Sequence, residues 1–218
     1  MKRWLWWGRW FGAHWAIGAL GLGGMVGLDQ ALTALKRWVF LRSPFDITLF
    51  LGLSGLWMGV LLGGGQGWAL RGRGWRLGRW VLGSGLGGAF GLLGLWGLFW
   101  AVGPERLIPQ GPAGMGIWAW VCAGIGLGIG LGAGAAQWIL GWGLAKDSWT
   151  WMVGSGLGGG LGGWGVGVML LRLGEEWIER WGWMGWMGLG MVGGTLFAFL
   201  AALGLPADPS GEGAGNRA

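Results

Sequence analysis

Six stretches of this chain contain no Asp, Glu, Lys or Arg: Trp10–Leu28, Ile47–Leu70, Trp80–Val102, Met115–Leu144, Ser148–Leu171 and Trp183–Leu205. At about 1.5 Å of rise per residue, a helix of roughly 20 residues crosses a hydrocarbon layer about 30 Å thick. Backbone N–H and C=O groups find no water in that layer, so each stretch must satisfy them internally, as a helix. The pattern predicts an all-α fold: a polytopic membrane helix bundle of about six transmembrane helices. The fourth stretch is the longest and must tilt, kink or protrude. Residues 1–206 are read as the transmembrane domain. Residues 207–218, polar and interrupted by Pro and Gly, are read as a disordered cytoplasmic tail.

Composition narrows the choice further. Charged residues make up 11% of the chain, against about 25% in an ordinary soluble domain. Glycine is abundant, 56 of 218 residues, but the six prolines are too few for a collagen repeat. The lone Cys122 lies in an apolar stretch, which leaves no disulfide framework or CxxC metal site and reads as a small buried hydrophobe. The basic opening, Met1-Lys-Arg-Trp4, resembles a signal-peptide n-region. No small-x-small cleavage site follows it, so an uncleaved first helix is expected.

Charge sets the expected orientation. With the N-terminus inside, the inner segments hold Lys2, Arg3, Arg9, Arg71, Arg73, Arg76, Arg79, Lys146 and Arg217 against Asp147, Asp208 and Glu212. The outer segments balance Lys36, Arg37, Arg42, Arg106, Arg172 and Arg180 with Asp29, Asp46, Glu105, Glu175, Glu176 and Glu179. The whole net charge of +6 thus falls on one side. Excess Lys and Arg stay cytoplasmic, which predicts a multi-pass protein with both termini inside. Trp4, Trp6, Trp7 and Trp10, then Trp75 and Trp80, Trp149 and Trp151, and Trp181, Trp183 and Trp186 cluster at span openings. There they read as rings at the headgroup level. Trp57 and Trp164 fall deeper and are expected to pack on other helices. Leu28–Trp38 and Leu173–Trp181 carry helical spacing and read as short helices lying in the interface.

A phrase recurs within these stretches. Trp80-Val-Leu-Gly-Ser-Gly-Leu-Gly-Gly88 returns as Trp151-Met-Val-Gly-Ser-Gly-Leu-Gly-Gly159, 71 residues later. Gln66 maps to Gln137, Gly59 to Gly130 and Gly63 to Gly134 at the same offset, while a shift of 70 carries Arg79-Trp80 back to Arg9-Trp10 and Ser84 to His14. The unit is a two-helix hairpin, with copies over about 9–78, 79–149 and 150–206. The second helix of the third copy matches poorly and lacks the glutamine. Gln66-Gly-Trp-Ala-Leu-Arg71, a basic turn and a Trp-x-x-x-Ser-x-x-Gly helix resemble a group of uncharacterised bacterial repeat-containing membrane proteins. In that group the phrase runs Gln-Trp-x-x-Leu-Arg and then Trp-Trp-x-x-x-Ser-x-x-Gly. Here Gln137-Trp138 keeps the dipeptide, whereas a glycine separates Gln66 from Trp68. The resemblance covers about residues 55–170 and implies helical-hairpin repeats without implying an activity.

Glycines at four-residue spacing supply the expected interfaces: Gly83, Gly87 and Gly91; Gly124, Gly128 and Gly132; Gly126, Gly130 and Gly134; Gly154, Gly158 and Gly162. Such a stripe lies on one helical face and lets backbones approach closely in lipid, where apolar burial drives nothing. Gly83–Gly88 and Gly154–Gly159 also satisfy GxGxxG. At this glycine content chance alone gives about four matches, and both lie inside a span rather than between a strand and a soluble helix.

The polar residues within spans are His14, Ser54, Gln66, Ser84, Cys122, Gln137, Ser155 and Thr195. No Ser-His-Asp or paired-carboxylate arrangement, and no metal-ligand spacing, can be assembled from them. His14, Ser84 and Ser155 hold equivalent repeat positions. They read as a polar constriction, or with His14 as an axial ligand to a tetrapyrrole; the plainer reading is an interfacial histidine close to Trp15 and serines bonded to their own helix backbone. Gln66 and Gln137 read as interhelical hydrogen bonds or as part of a solute path. The expected function is a non-enzymatic scaffold or accessory subunit without a cofactor. Its expected partners are the lipid bilayer and other membrane subunits or further copies, and not nucleic acid. A small-solute transporter or channel is the alternative, and a pigment- or quinone-binding subunit a third.

Overall fold

The computed structural model describes residues 3–36, 45–70, 77–102, 114–139 and 148–203. They form five helices: α1 (Arg3–Lys36), α2 (Phe45–Ala69), α3 (Leu77–Val102), α4 (Gly114–Ile139) and α5 (Ser148–Leu203). The basic turn at 71–76 with Trp75, Lys146 and the tail 207–218 lie outside the described residues. The described parts of the six uncharged stretches fall on these helices, apart from Leu70 in a turn. The fifth and sixth share α5, whose 56 residues would span about 84 Å if straight.

The helix α5 is instead doubled back. Gly158 lies against Phe197 and Ala201, and Gly162 against Gly193, so its two arms pack on each other. Gly182 stands near the fold-back point with φ of 52°, the left-handed conformation that a side chain resists and glycine adopts freely. The stretch 173–181, expected to lie separately in the interface, is helix continuous with the first arm.

A similar correction applies to Leu28–Trp38. The helix α1 runs unbroken through Asp29 to Lys36, because nothing in Gly27–Lys36 breaks a helix and the first proline waits at Pro44. Its 34 residues reach about 51 Å, so one end extends beyond a hydrocarbon core. Among the described residues, five helical segments are long and apolar enough to cross a membrane. The outward surface is correspondingly oily, with Phe90 70% and Leu82 66% exposed on α3. The protein is a multi-pass membrane helix bundle.

Each helix packs on its successor, and the second arm of α5 returns to α1, closing a ring. The seams depend on missing side chains. At the α2–α3 seam, a Cβ at Gly59 would fall on the Ser84 carbonyl oxygen and one at Gly55 on that of Gly88. At the α4–α5 seam, Gly130 meets the Ser155 carbonyl and Gly126 that of Gly159. Where α5 meets α1, Gly194 meets the His14 carbonyl and Gly190 that of Gly18.

A second glycine stripe on α4 faces α3: Gly132 opposes Gly87 and Gly128 opposes Gly91, again backbone to backbone. The every-second-residue glycines of α4 are thus two stripes serving two neighbours. Gly83 and Gly154 are buried, whereas an added Cβ at Gly124 would meet nothing within 4 Å. Gly130→Leu should therefore force α4 and α5 apart and destabilise the bundle by about 1–3 kcal/mol or more. Gly124→Ala should be neutral or slightly stabilising, and Gly182→Ala should cost about 1–2 kcal/mol from its backbone alone. Unfolding of each variant in mixed micelles, followed by loss of helical circular dichroism, measures the three differences.

Candidate functional site

The N-terminal ends of α1, α3 and α5 and the C-terminal ends of α2, α4 and α5 meet at one end of the bundle. There the first polar cluster assembles. Gln137 Nε2 donates to Gln66 Oε1 at 3.0 Å and to Ser84 Oγ at 2.7 Å. Its Oε1 accepts from the indole Nε1 of Trp151. An indole N–H only donates, so the oxygen of Gln137 must face Trp151 and its amide nitrogen must face Gln66 and Ser84. Ser84, accepting from that amide, sends its own hydroxyl hydrogen to the Trp80 carbonyl at 2.7 Å. Every member therefore has a compatible partner. All three polar side chains are at most 2% exposed, where an unmade bond is costly.

Tryptophans close the axis beside this network. Trp10, Trp80 and Trp151 are 0–1% exposed, so their rings face the bundle interior rather than lipid. Trp151 stands between the other two, with ring centroids 6.0 Å from Trp10 and 6.3 Å from Trp80. The reason is geometric. Glycine seams bring the backbones close, and the residue four before Ser84, Ser155 or His14 then projects into the middle rather than toward lipid. Trp10 also donates to the Ala198 carbonyl at 2.8 Å. Trp4, Trp149 and Trp183 do face outward. Trp57 packs on α1 as expected, its indole against Gly24 and its N–H donating to the Leu20 carbonyl at 3.2 Å, while Trp164 is 43% exposed.

No hydrogen bond joins His14, Ser84 and Ser155 to one another among the described residues. Each instead places its own carbonyl over a glycine of the neighbouring helix. Ser155 differs from Ser84 in its partner: its buried Oγ has none. The residue that would supply one is identifiable. The contacts of Gly126 and Gly130 recur at Gly190 and Gly194, an offset of 64 rather than 71. At that offset Gln137 corresponds to Ala201, fully buried and unable to donate from its side chain. The shorter connection between the arms of α5 hides this register from a search at fixed period.

His14 is 1% exposed, not interfacial. Its Nδ1 is 2.8 Å from the Trp10 carbonyl, and its ring stacks on Phe197 at a centroid distance of 5.3 Å. Beside it lies a partly open cavity of about 260 Å³ bounded by α1, α2, α4 and both arms of α5. Its walls are glycines and apolar side chains, with His14, Cys122 and Trp186 the residues that also carry polar or thiol groups. Ser84, Ser155, Gln66 and Gln137 do not line it. Sequence reasoning singled out His14 but missed the cavity, because no local pattern announces where packed helices fail to fill the space between them.

The fold and its interior define a class, the multi-pass helical membrane protein with a closed, glycine-seamed bundle. Comparison with protein-family models, with curated proteins and with solved structures finds no match to this chain.

The two serines yield a paired expectation. Ser84→Ala removes an acceptor from Gln137 and should cost about 1 kcal/mol, toward the upper end for polar bonds within membranes. Ser155→Ala removes a buried hydroxyl that bonds nothing and should be neutral or stabilising. Reversible unfolding of both variants in bilayer-mimetic discs gives the comparison.

Proposed function

We propose that this chain is a non-enzymatic accessory subunit or scaffold of a bacterial inner membrane, with both termini cytoplasmic, built as three copies of one helical hairpin. The observation that carries this reading is the closed ring of backbone-contact seams, stoppered on its axis by Trp10, Trp80 and Trp151. Such a body is stiff, and its buried amides are committed to one another rather than to a solute. The charge asymmetry between the two sets of connections supports the orientation. The recurrence of one seam contact at Gly59, Gly130 and Gly194 supports three copies and a glycine-zipper mode of assembly. It also fits membership of the repeat-containing membrane proteins that the sequence resembles.

An accessory subunit acts through its lipid-facing surface, where side chains such as Leu82, Leu86 and Phe90 form an exposed stripe on α3 at four-residue spacing. A photo-crosslinking amino acid placed at Phe90 should capture a defined membrane protein or a second copy in native membranes. Capture of lipid alone, together with a lone monomer after extraction in mild detergent, overturns the proposal.

The alternative, a small-solute transporter, draws its support from the repeat. A polar solute on the axis would have to pass the three indoles. Proteoliposomes carrying the protein should swell no faster in glycerol or urea than empty ones, and swelling that a Trp151→Ala variant enhances would favour transport. The third reading, a pigment- or quinone-binding subunit, draws its support from the apolar cavity between α1, α2, α4 and α5.

A further inference from the structure

The cavity between α1, α2, α4 and α5 is long and narrow. It is lined on α1 from His14 to Met25, on the first arm of α5 from Gly158 to Leu170, and on the second from Trp186 to Phe197. At about 1.5 Å of rise per residue, each of these runs covers roughly 16–18 Å. A volume of about 260 Å³ spread over that length leaves a mean cross-section of roughly 15 Å². That is about the girth of one extended hydrocarbon chain, and a macrocycle or fused ring system is too broad for it.

The tube is blind at one end. Around its inner part Ile17, Leu62, Ile129 and Phe197 are 4–7% exposed, and Trp10 and Trp151 stand one and two helical turns further on. At the other end Leu22, Met25, Cys122, Leu170 and Trp186 are only partly buried. That end approaches the charged boundary of the spans. Asp29 follows Met25 by one helical turn, Arg172 follows Leu170 by two residues, and Arg180 precedes Trp186 by six. The mouth therefore opens near the headgroup level, and the blind end lies within the hydrocarbon layer.

The walls fix the chemistry of the occupant. Their surface is almost wholly apolar. His14 Nε2 is enclosed and Nδ1 is engaged by the Trp10 carbonyl, so neither nitrogen serves a guest. A buried water makes about three hydrogen bonds, which these walls do not offer. A polar solute would lose its hydration without compensation. A saturated chain entering from the bilayer gives up no hydrogen bond. It gains dispersion contacts with Met25, Met58 and Leu170, whose flexible side chains conform to it.

We infer that this tube holds one acyl chain of a bilayer phospholipid, its methyl end toward Phe197 and its headgroup at the rim. There Asp29, Arg172, Glu176 and Arg180 supply both signs of charge, matching a phosphate and an ammonium. At roughly 30 Å³ per methylene, about the share of a water molecule in the liquid, the tube encloses about nine carbons. The chain fills the centre that the helices leave between them, so the lipid is part of the packed body. This site stands apart from the accessory role: a lone monomer that holds the lipid meets this proposal and fails the other.

The protein is held in nanodiscs of phosphatidylethanolamine containing a trace of the same lipid with a diazirine at the methyl end of one chain. After irradiation, mass spectrometry locates the adducts. Ile129 and Phe197, 4% and 7% exposed, should be labelled alongside the outward-facing Phe90. Moving the diazirine next to the ester should shift the interior label to Met25 and Leu170. Ile129→Phe enlarges one wall of the tube and should cut labelling of Phe197 about fivefold or more, with Phe90 labelling and helical circular dichroism unchanged. Native mass spectrometry of protein extracted in mild detergent should show a retained phospholipid. Four results each overturn the proposal: adducts at Phe90 with none at Ile129 or Phe197, an interior pattern indifferent to the position of the diazirine, a folded Ile129→Phe protein labelled like the native chain, or a retained molecule of another class. If that variant does not fold, the depth dependence on the native chain decides.

Discussion

The close approach of one backbone to another is the constraint from which the rest of this molecule follows. In lipid, a helix gains little by burying an apolar side chain against another helix, because the tails around it are equally apolar. Attraction must come from dispersion at short range, from weak carbonyl contacts and from a few interior hydrogen bonds. Gly59 under the Ser84 carbonyl, Gly130 under that of Ser155 and Gly194 under that of His14 are the places where the chain achieves that range. A methyl group at any of them would land on an oxygen atom.

Once the seams are drawn that tight, little room remains for polar chemistry at the ends of the helices. The carboxamide of Gln137 fills what there is, linking α2, α3 and α5 through Gln66, Ser84 and Trp151. The same contraction turns three indoles toward the axis. Their large area is then spent on each other instead of on the headgroup region where indoles commonly lie. The bundle is therefore sealed at this end and remains open in its middle, where Leu62, Ile129 and Phe197 border the cavity without filling it.

Much of this was legible in the residues. The uncharged stretches mark the helices because hydrocarbon tolerates no alternative backbone. Gln66 and Gln137, singled out by a common offset, are the two amides that bond to each other. The paired glycine stripes of α4 were visible as well, although not which neighbour each would meet. Other features depend on distance in space and leave no local trace. Trp80 opening a span looks the same whether its ring turns outward or inward, and only the proximity of α2 and α4 decides. Gly190 and Gly194 match Gly126 and Gly130 only after seven residues are dropped from the connection, which a fixed period cannot reveal. The continuation of α1 to Lys36 leaves no such trace either, because apolar spacing resembles an interfacial helix whether or not the backbone breaks before it.

One side of the ring is built differently. Between α1 and α2 the space opposite Gly21, Gly24 and Gly65 is taken by Met58, Trp57 and Ile17, side chains rather than carbonyls. A join of that kind yields when a thioether changes rotamer, whereas its counterparts yield only when whole helices part. Met58 and Ile17 also border the cavity. The compliant flank of the ring and the wall of its hollow therefore share Met58 and Ile17, so a rotamer change at either reshapes both at once.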